Sequence, residues 1–163
     1  MKAFFGKEIL EAAVQIERNG QAFYEQVSQQ TTDQGVREVF SDLAVEEKKH
    51  ISQFQALSDC LVDPPDSMER GDYALYLDHL IVEHVFKEDG SGERKAGETK
   101  SAVEAVGLGI QFEKDTLLFF HELHPLVRAE EQRVVDQLIL WEKEHLVRLV
   151  RLKRRLLGQG RDI

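Results

Sequence analysis

The chain has 163 residues, 31% of them charged, and a formal net charge of −9. An acidic balance of this size argues against a nucleic-acid binder, which needs a basic face. The lone cysteine, Cys60, excludes an internal disulfide and any paired-cysteine site for zinc or a rubredoxin-type iron.

Alternation of Val, Ile and Thr is nearly absent, so the expected fold is all-α. Ile9, Ala13, Ile16, Gly20, Phe23 and Val27 recur at three- and four-residue spacing and predict a first helix from about Lys7 to Gln30. TTDQG at 31–35 has turn chemistry, and a second helix is predicted from about Asp33 to Leu61. Residues 62–100 break the pattern, opening on DPPDS and closing on the polar, glycine-rich KEDGSGERKAGETK. Between these, DYALYLDHLIVEHVF (72–86) predicts one short amphipathic helix. A structureless loop of this length is out of place in a compact domain, so the segment reads as a crossover returning the chain along a bundle. SAVE at 101–104 has the form of a capping box, with Ser101 as N-cap and Glu104 reaching back, and opens a third helix to about Leu123. HP at 124–125 marks a turn, after which a fourth helix runs from about Leu126 to Leu157. Four long helices with one long crossover make a ferritin-like four-helix bundle, here a single domain over 1–163.

The two hairpins repeat one another. AVQIERNGQAFY (13–24) aligns with GIQFEKDTLLFF (109–120), which sets Glu17 on Glu113 and Tyr24 on Phe120. REVFSDLAVEEKKH (37–50) aligns with QRVVDQLILWEKEH (132–145), which sets Glu47 on Glu142 and His50 on His145. A bare Glu-x-x-His pair carries little, but this one occurs twice at matching places. Glu17 and Glu47 lie about equally far from the first turn, so at ~1.5 Å per residue their carboxylates reach one height on antiparallel helices. Glu113 and Glu142 bracket the second turn in the same way. Each histidine sits one turn beyond its glutamate and can reach the same point.

The neighbours of these acids are mostly apolar. Glu47 is flanked by Leu43, Ala44 and Ile51, Glu142 by Leu138, Ile139 and Leu146, Glu113 by Gly109, Ile110, Thr116 and Leu117, and Glu17 by Ala13, Val14 and Gly20, with Gln21 polar. Carboxylates on an apolar stripe need partners or must take up protons. Four carboxylates and two imidazoles at one height form a donor set for two iron or manganese ions, with zinc also suited to it. They balance two divalent charges, whereas without ions four negative charges would crowd the core. The rival reading is a polar core in which the acids pair with lysines or share protons.

On these residues the chain resembles the rubrerythrin branch of the ferritin-like superfamily. The likeness covers roughly 7–61 and 101–157 and rests on Glu17 with Tyr24, their echo Glu113 with Phe120, and the pairs Glu47–His50 and Glu142–His145. It implies a bundle holding a di-iron centre, often in a homodimer, that reacts with peroxide or dioxygen. Glu17, Glu47, His50, Glu113, Glu142 and His145 would then be the metal ligands, with Glu47 and Glu142 bridging and Tyr24 donating a hydrogen bond to a ligand. Two departures stand out. Peroxidase-type rubrerythrins carry another Glu three residues after the third-helix ligand, where this chain has Thr116, which puts the linked iron movement in doubt. They also usually carry a rubredoxin domain with CxxC motifs, which these residues lack, so electrons would come from a separate, rubredoxin-like or other donor.

The expected function is therefore a di-iron oxidoreductase reducing hydrogen peroxide or dioxygen. The alternatives are an iron-binding, ferroxidase-type protein serving storage or detoxification, and a metal-free helical interaction module. The opening MKAFFGKEIL lacks a long apolar core and a small-residue cleavage site, and no run approaches the ~20 apolar residues of a membrane span. A cytoplasmic protein with no membrane or nucleic-acid partner is expected. His79, His84, His121 and His124 have no echo in the repeat and read as surface or core histidines, and Trp141 as a packing residue. The basic run LVRLVRLKRRLL (146–157) reads as cations complementing a helix C-terminus rather than as a membrane-binding face.

Overall fold

The computed structural model describes residues 7–57, 60, 70–84 and 88–158. These form α1 (Lys7–Gln30), α2 (Gln34–Ala56), α3 (Arg70–Glu83), α4 (Ser91–Glu98), α5 (Ala102–Leu123), a 3-10 turn at His124–Leu126 and α6 (Gln132–Leu156). No helix among them is long and apolar enough to cross a membrane. The helices form where apolar residues recur on one face. In α2 the buried set is Val36, Phe40, Leu43, Ala44, Glu47, His50 and Phe54, and in α6 it is Val135, Leu138, Ile139, Glu142, His145, Leu149 and Leu152.

The ends are held by side chains suited to them. Asp33 accepts a hydrogen bond from the Val36 amide at 2.9 Å and starts α2. Ser101 accepts from the Glu104 amide at 3.1 Å, while the Glu104 carboxylate accepts from the Lys100 amide at 2.8 Å. The capping box therefore closes one residue before the N-cap. The basic run ends on the same face of the bundle, where Arg155 donates to Asp33 at 2.7 Å.

α1 packs on α2 and α5 on α6, and the hairpins meet through α2 against α6 and α1 against α5. The Asp33–Arg155 bond joins the start of α2 to the end of α6, so these helices run antiparallel. The crossover accordingly carries the chain back along the bundle. Its first helix, α3, lies on α5, with Tyr73 donating to the Glu122 carbonyl at 3.2 Å.

Three boundaries differ from those expected. α6 begins at Gln132 rather than near Leu126, because Pro125 sits in a 3-10 turn and the Arg128 amide is spent on the Cys60 carbonyl at 2.8 Å. α2 stops at Ala56, with Leu57 as its C-cap, and residues 58, 59 and 61 lie outside the described set. The third difference is a helix where composition predicts a loop. GSGERKAGE folds as α4 after Gly90, whose φ of 68° is left-handed. Its small residues are the packing face: Ser91, Gly92 and Ala96 are buried against α1. A Cβ on Gly92 would collide with the Asn19 carbonyl oxygen. Asn19 and Gln15 tie the strap down, donating to the Glu88 carbonyl at 2.8 Å and to Asp89 at 3.1 Å. Both lie within one turn of Glu17.

Candidate metal centre

Each of the four bundle helices contributes one carboxylate to the middle of the core. Glu17, Glu47, Glu113 and Glu142 are fully buried, and His50 and His145 are within 2% of it. All six sequence-predicted donors are thus brought together, and the two imidazoles organise them. His50 Nδ1 lies 2.7 Å from Glu142, 2.9 Å from Glu47 and 3.7 Å from Glu17. His145 Nδ1 lies 3.0 Å from Glu142, 3.2 Å from Glu47 and 3.5 Å from Glu113. Glu47 and Glu142 each face both imidazoles, while Glu17 and Glu113 each face one. The duplication read from the sequence is therefore a pseudo-twofold relation between two half-sites.

Aromatic layers close the site above and below. Tyr24 meets Phe40 and Phe112 edge-on at centroid distances of 5.2 and 5.8 Å. On the other side Phe54 meets Phe120 at 4.7 Å. Each fully buried ring contributes about 1.5–3 kcal/mol relative to exposure and keeps water from the carboxylates. Tyr24 donates to Glu113 Oε1 at 2.5 Å. Its partner is the acid of the opposite hairpin, since α1 and α5 are neighbours.

Burial pushes Glu17 and Glu113 well above the usual carboxylate range, with repulsion from neighbouring acids adding to it. Burial acts the same way on Glu47 and Glu142, but the imidazoles beside them override it and hold both below the usual value. Burial opposes protonation of His50 and His145, and the surrounding carboxylates outweigh it and raise both. Tyr24 is likewise raised, by burial and by Glu113.

The donor set fits metal, and its ion pairs run between its own acids and imidazoles. Among the described residues no lysine or arginine stands within ion-pair distance of the four acids, so the lysine-paired alternative has no partner there. Both oxygens of Glu17 and of Glu142, one each of Glu47 and Glu113, and His145 Nδ1 have no hydrogen-bond partner although they are buried. Among the close approaches, His50 Nδ1 to Glu47 Oε2 at 2.9 Å is a hydrogen bond, and the remaining buried, unpartnered atoms are of the kind a bound cation would satisfy. Glu47, His50, Glu142 and His145 alone offer donor atoms all within 4.8 Å of one another. Oxygen and imidazole donors without thiolate suit iron, manganese or zinc.

Behind the site stand residues that sequence reasoning passed over. His145 Nε2 donates to Glu46 Oε2 at 2.8 Å, and Arg148 donates to the same oxygen. The hydrogen bond from His145 holds the Glu46 carboxyl down at about 2, so this oxygen is an acceptor only. Trp141 stacks on His50 at 5.5 Å with an interplanar angle of 8°, and His50 stacks on His145 at 5.2 Å. The histidines without an echo divide as expected: His79 and His121 are exposed, His124 pairs with Asp136 at 3.1 Å, and His84 is buried. His84 stands 3.3 Å from Thr116, and burial lowers it to about 3, so it is neutral. The only advance signal for Glu46 was its place beside Glu47, which α2 turns toward α6.

Comparison with known proteins bears on the fold and the family. A solved structure from Thermotoga maritima, described as a ferritin-like diiron-carboxylate protein, superposes with a TM-score of 0.64 at 22% identity, covering 94% of this chain and 97% of its own. At that identity the likeness shows the fold. No curated protein sequence matches the chain. The rubrerythrin family model matches residues 8–153. A match that begins in the first turn of α1 and ends in the last turns of α6 takes in both hairpins and the crossover between them, and the chain belongs to the rubrerythrin family.

Proposed function

We propose that this chain binds two iron ions among Glu17, Glu47, His50, Glu113, Glu142 and His145 and acts as an oxidoreductase toward hydrogen peroxide or dioxygen. The observation that carries the reading is the convergence of four buried carboxylates, with oxygens lacking hydrogen-bond partners, on two imidazoles. Two such ions, when bound, supply two electrons together to an oxidant.

The chain's own residues set the conditions for that chemistry. Glu47 and Glu142, which each face both imidazoles, would bridge the two ions, and Glu17 and Glu113 would each hold one. Tyr24 holds Glu113 by Oε1, the oxygen that lies 3.5 Å from His145 Nδ1, and the buried Oε2 has no hydrogen-bond partner. The aromatic layers exclude water, which strengthens every charge interaction inside them. Reduction of peroxide to two waters consumes two electrons and two protons, and the electrons come from a separate donor. A homodimer in a cytoplasmic setting accompanies this reading.

Thr116 favours a second reading. It is fully buried where peroxidase-type relatives carry a further carboxylate, and its hydroxyl lies 3.3 Å from His84 Nε2. The iron movement linked to that carboxylate in peroxidase-type relatives has no counterpart at Thr116, which leaves iron oxidation in the service of storage or detoxification as the second reading.

The test is anaerobic loading with Fe(II), metal counting, and rapid mixing with H2O2 and with O2. About two irons per chain, oxidised faster by peroxide and turned over by an added donor, is the expected result. Many irons oxidised and retained per chain would point to storage. A protein that retains no iron would remove the reading.

A further inference from the structure

The two half-sites match in their donors and differ in what stands behind them. His145 Nε2 donates to Glu46 at 2.8 Å, and Arg148, one turn further along α6, holds the same carboxylate oxygen. His50 has the indole face of Trp141 instead. Among the described residues no carboxylate backs His50 as Glu46 backs His145. The duplication makes the contrast specific: at the repeat offset Glu46 falls on Trp141, and Arg148 falls on Gln53. Both members of the pair are therefore absent from the other half together.

The chemical consequence follows from how an imidazole presents its lone pair. A carboxylate on Nε2–H fixes the tautomer, leaves the Nδ1 lone pair facing the site and makes that nitrogen a better donor. Glu46 is 36% exposed and would swing in solvent without a second anchor, which Arg148 supplies. Stacking on Trp141 fixes the plane of His50 but not which nitrogen carries the proton. Resting on the metal-binding reading above, we propose that the two ion positions are unequal. The position served by Glu113 and His145 fills first and holds its ion more tightly, with Glu46 and Arg148 as the positioning pair responsible.

The experiment is an anaerobic titration of metal-free full-length protein with Co(II), followed by calorimetry and by d–d absorption. Wild type is expected to take up two ions in two steps. His50→Ala is expected to keep the tighter step and His145→Ala to lose it. Glu46→Gln is expected to weaken the tighter step alone, by about 10- to 100-fold. Equal weakening of the first step by His50→Ala and His145→Ala, or a Glu46→Gln variant that weakens both steps or neither, overturns the proposal. A measurement on wild type guards against variants that fail to fold. One equivalent of 113Cd(II) should give one NMR resonance, coupled to His145, and two equal resonances from the first addition overturn the inequality. Wild type that takes up no ion at all would sink the metal-binding reading itself, whereas two ions bound alike would sink only this one.

Discussion

In protein stripped of metal the six site residues have to balance their own charges, and the balance fixes how many protons metal must displace. Burial and mutual repulsion raise the Glu17 and Glu113 carboxyls and so favour their protonated forms. The imidazoles of His50 and His145 favour the ionised forms of Glu47 and Glu142, and the carboxylates in turn favour the imidazoliums. Two ions entering a set that holds a proton on each of Glu17, Glu113, His50 and His145 would release up to about four protons. The proton that His145 shares with Glu46 stays in place, since it lies on Nε2 and the ion would take Nδ1. Each displaced proton ties binding to pH by about 1.4 kcal/mol per unit, so four make the two-ion binding free energy about 5 kcal/mol more favourable for each unit of rising pH. Calorimetric titration with Co(II) or Zn(II) near neutral pH, repeated in buffers of different protonation enthalpy, gives the proton count as a slope. Two ions bound with fewer than about two protons released would refute this arrangement of charges.

Other outcomes are accessible to simple measurements. Metal at about a thousandfold over its dissociation constant should stabilise the fold by about 4 kcal/mol, raising Tm by roughly 8–16 °C for a chain of this size; a chelator should reverse it, and an unchanged melt would count against the site. Gly92→Ala should cost about 1–3 kcal/mol in a thermal melt because a Cβ there meets α1 backbone, whereas Gly97→Ala, with nothing within 4 Å, should stabilise by a few tenths to 1 kcal/mol; equal effects would contradict the packing of α4. His84, lowered to about 3 by burial, is neutral when folded and takes a proton near pH 6.5 when unfolded. Its contribution is present above about pH 6.5 and lost as pH falls toward 3, about 2 kcal/mol being gone by pH 5. His84→Gln should flatten that limb of the stability curve relative to wild type, and denaturant melts at pH 7 and pH 5 check it.

The four long helices and the six donors can be read from the amino-acid order because each rests on a periodicity. Glu47 and Glu142 sit where a helix of 3.6 residues per turn must bury them, and the repeat sets the two hairpins at one height. What escapes the sequence depends on which helices become neighbours. Tyr24 reads as a donor, but that it serves Glu113 follows only once α1 lies against α5. Glu46 looks like one more charge beside Glu47, and only the approach of α6 converts it into the partner of His145 and Arg148. α4 is hidden for a different reason. Glycine and serine usually signal a turn, and here they let one backbone lie on another. The boundary of α6 moved because a proline and a bond to Cys60 hold residues 124–128 in a turn that a hydrophobic stripe alone would continue through.

Joining both hairpins in one chain also decides how the site responds to dilution. Were α1–α2 and α5–α6 separate molecules, their meeting would be second order, and the six donors would drift apart once the protein fell below the affinity of the halves. The covalent crossover makes the same encounter intramolecular, so the equilibrium between the two halves does not depend on how much protein is present. The cage therefore stays assembled in a cell that makes only a few copies, and one molecule suffices to capture scarce ions.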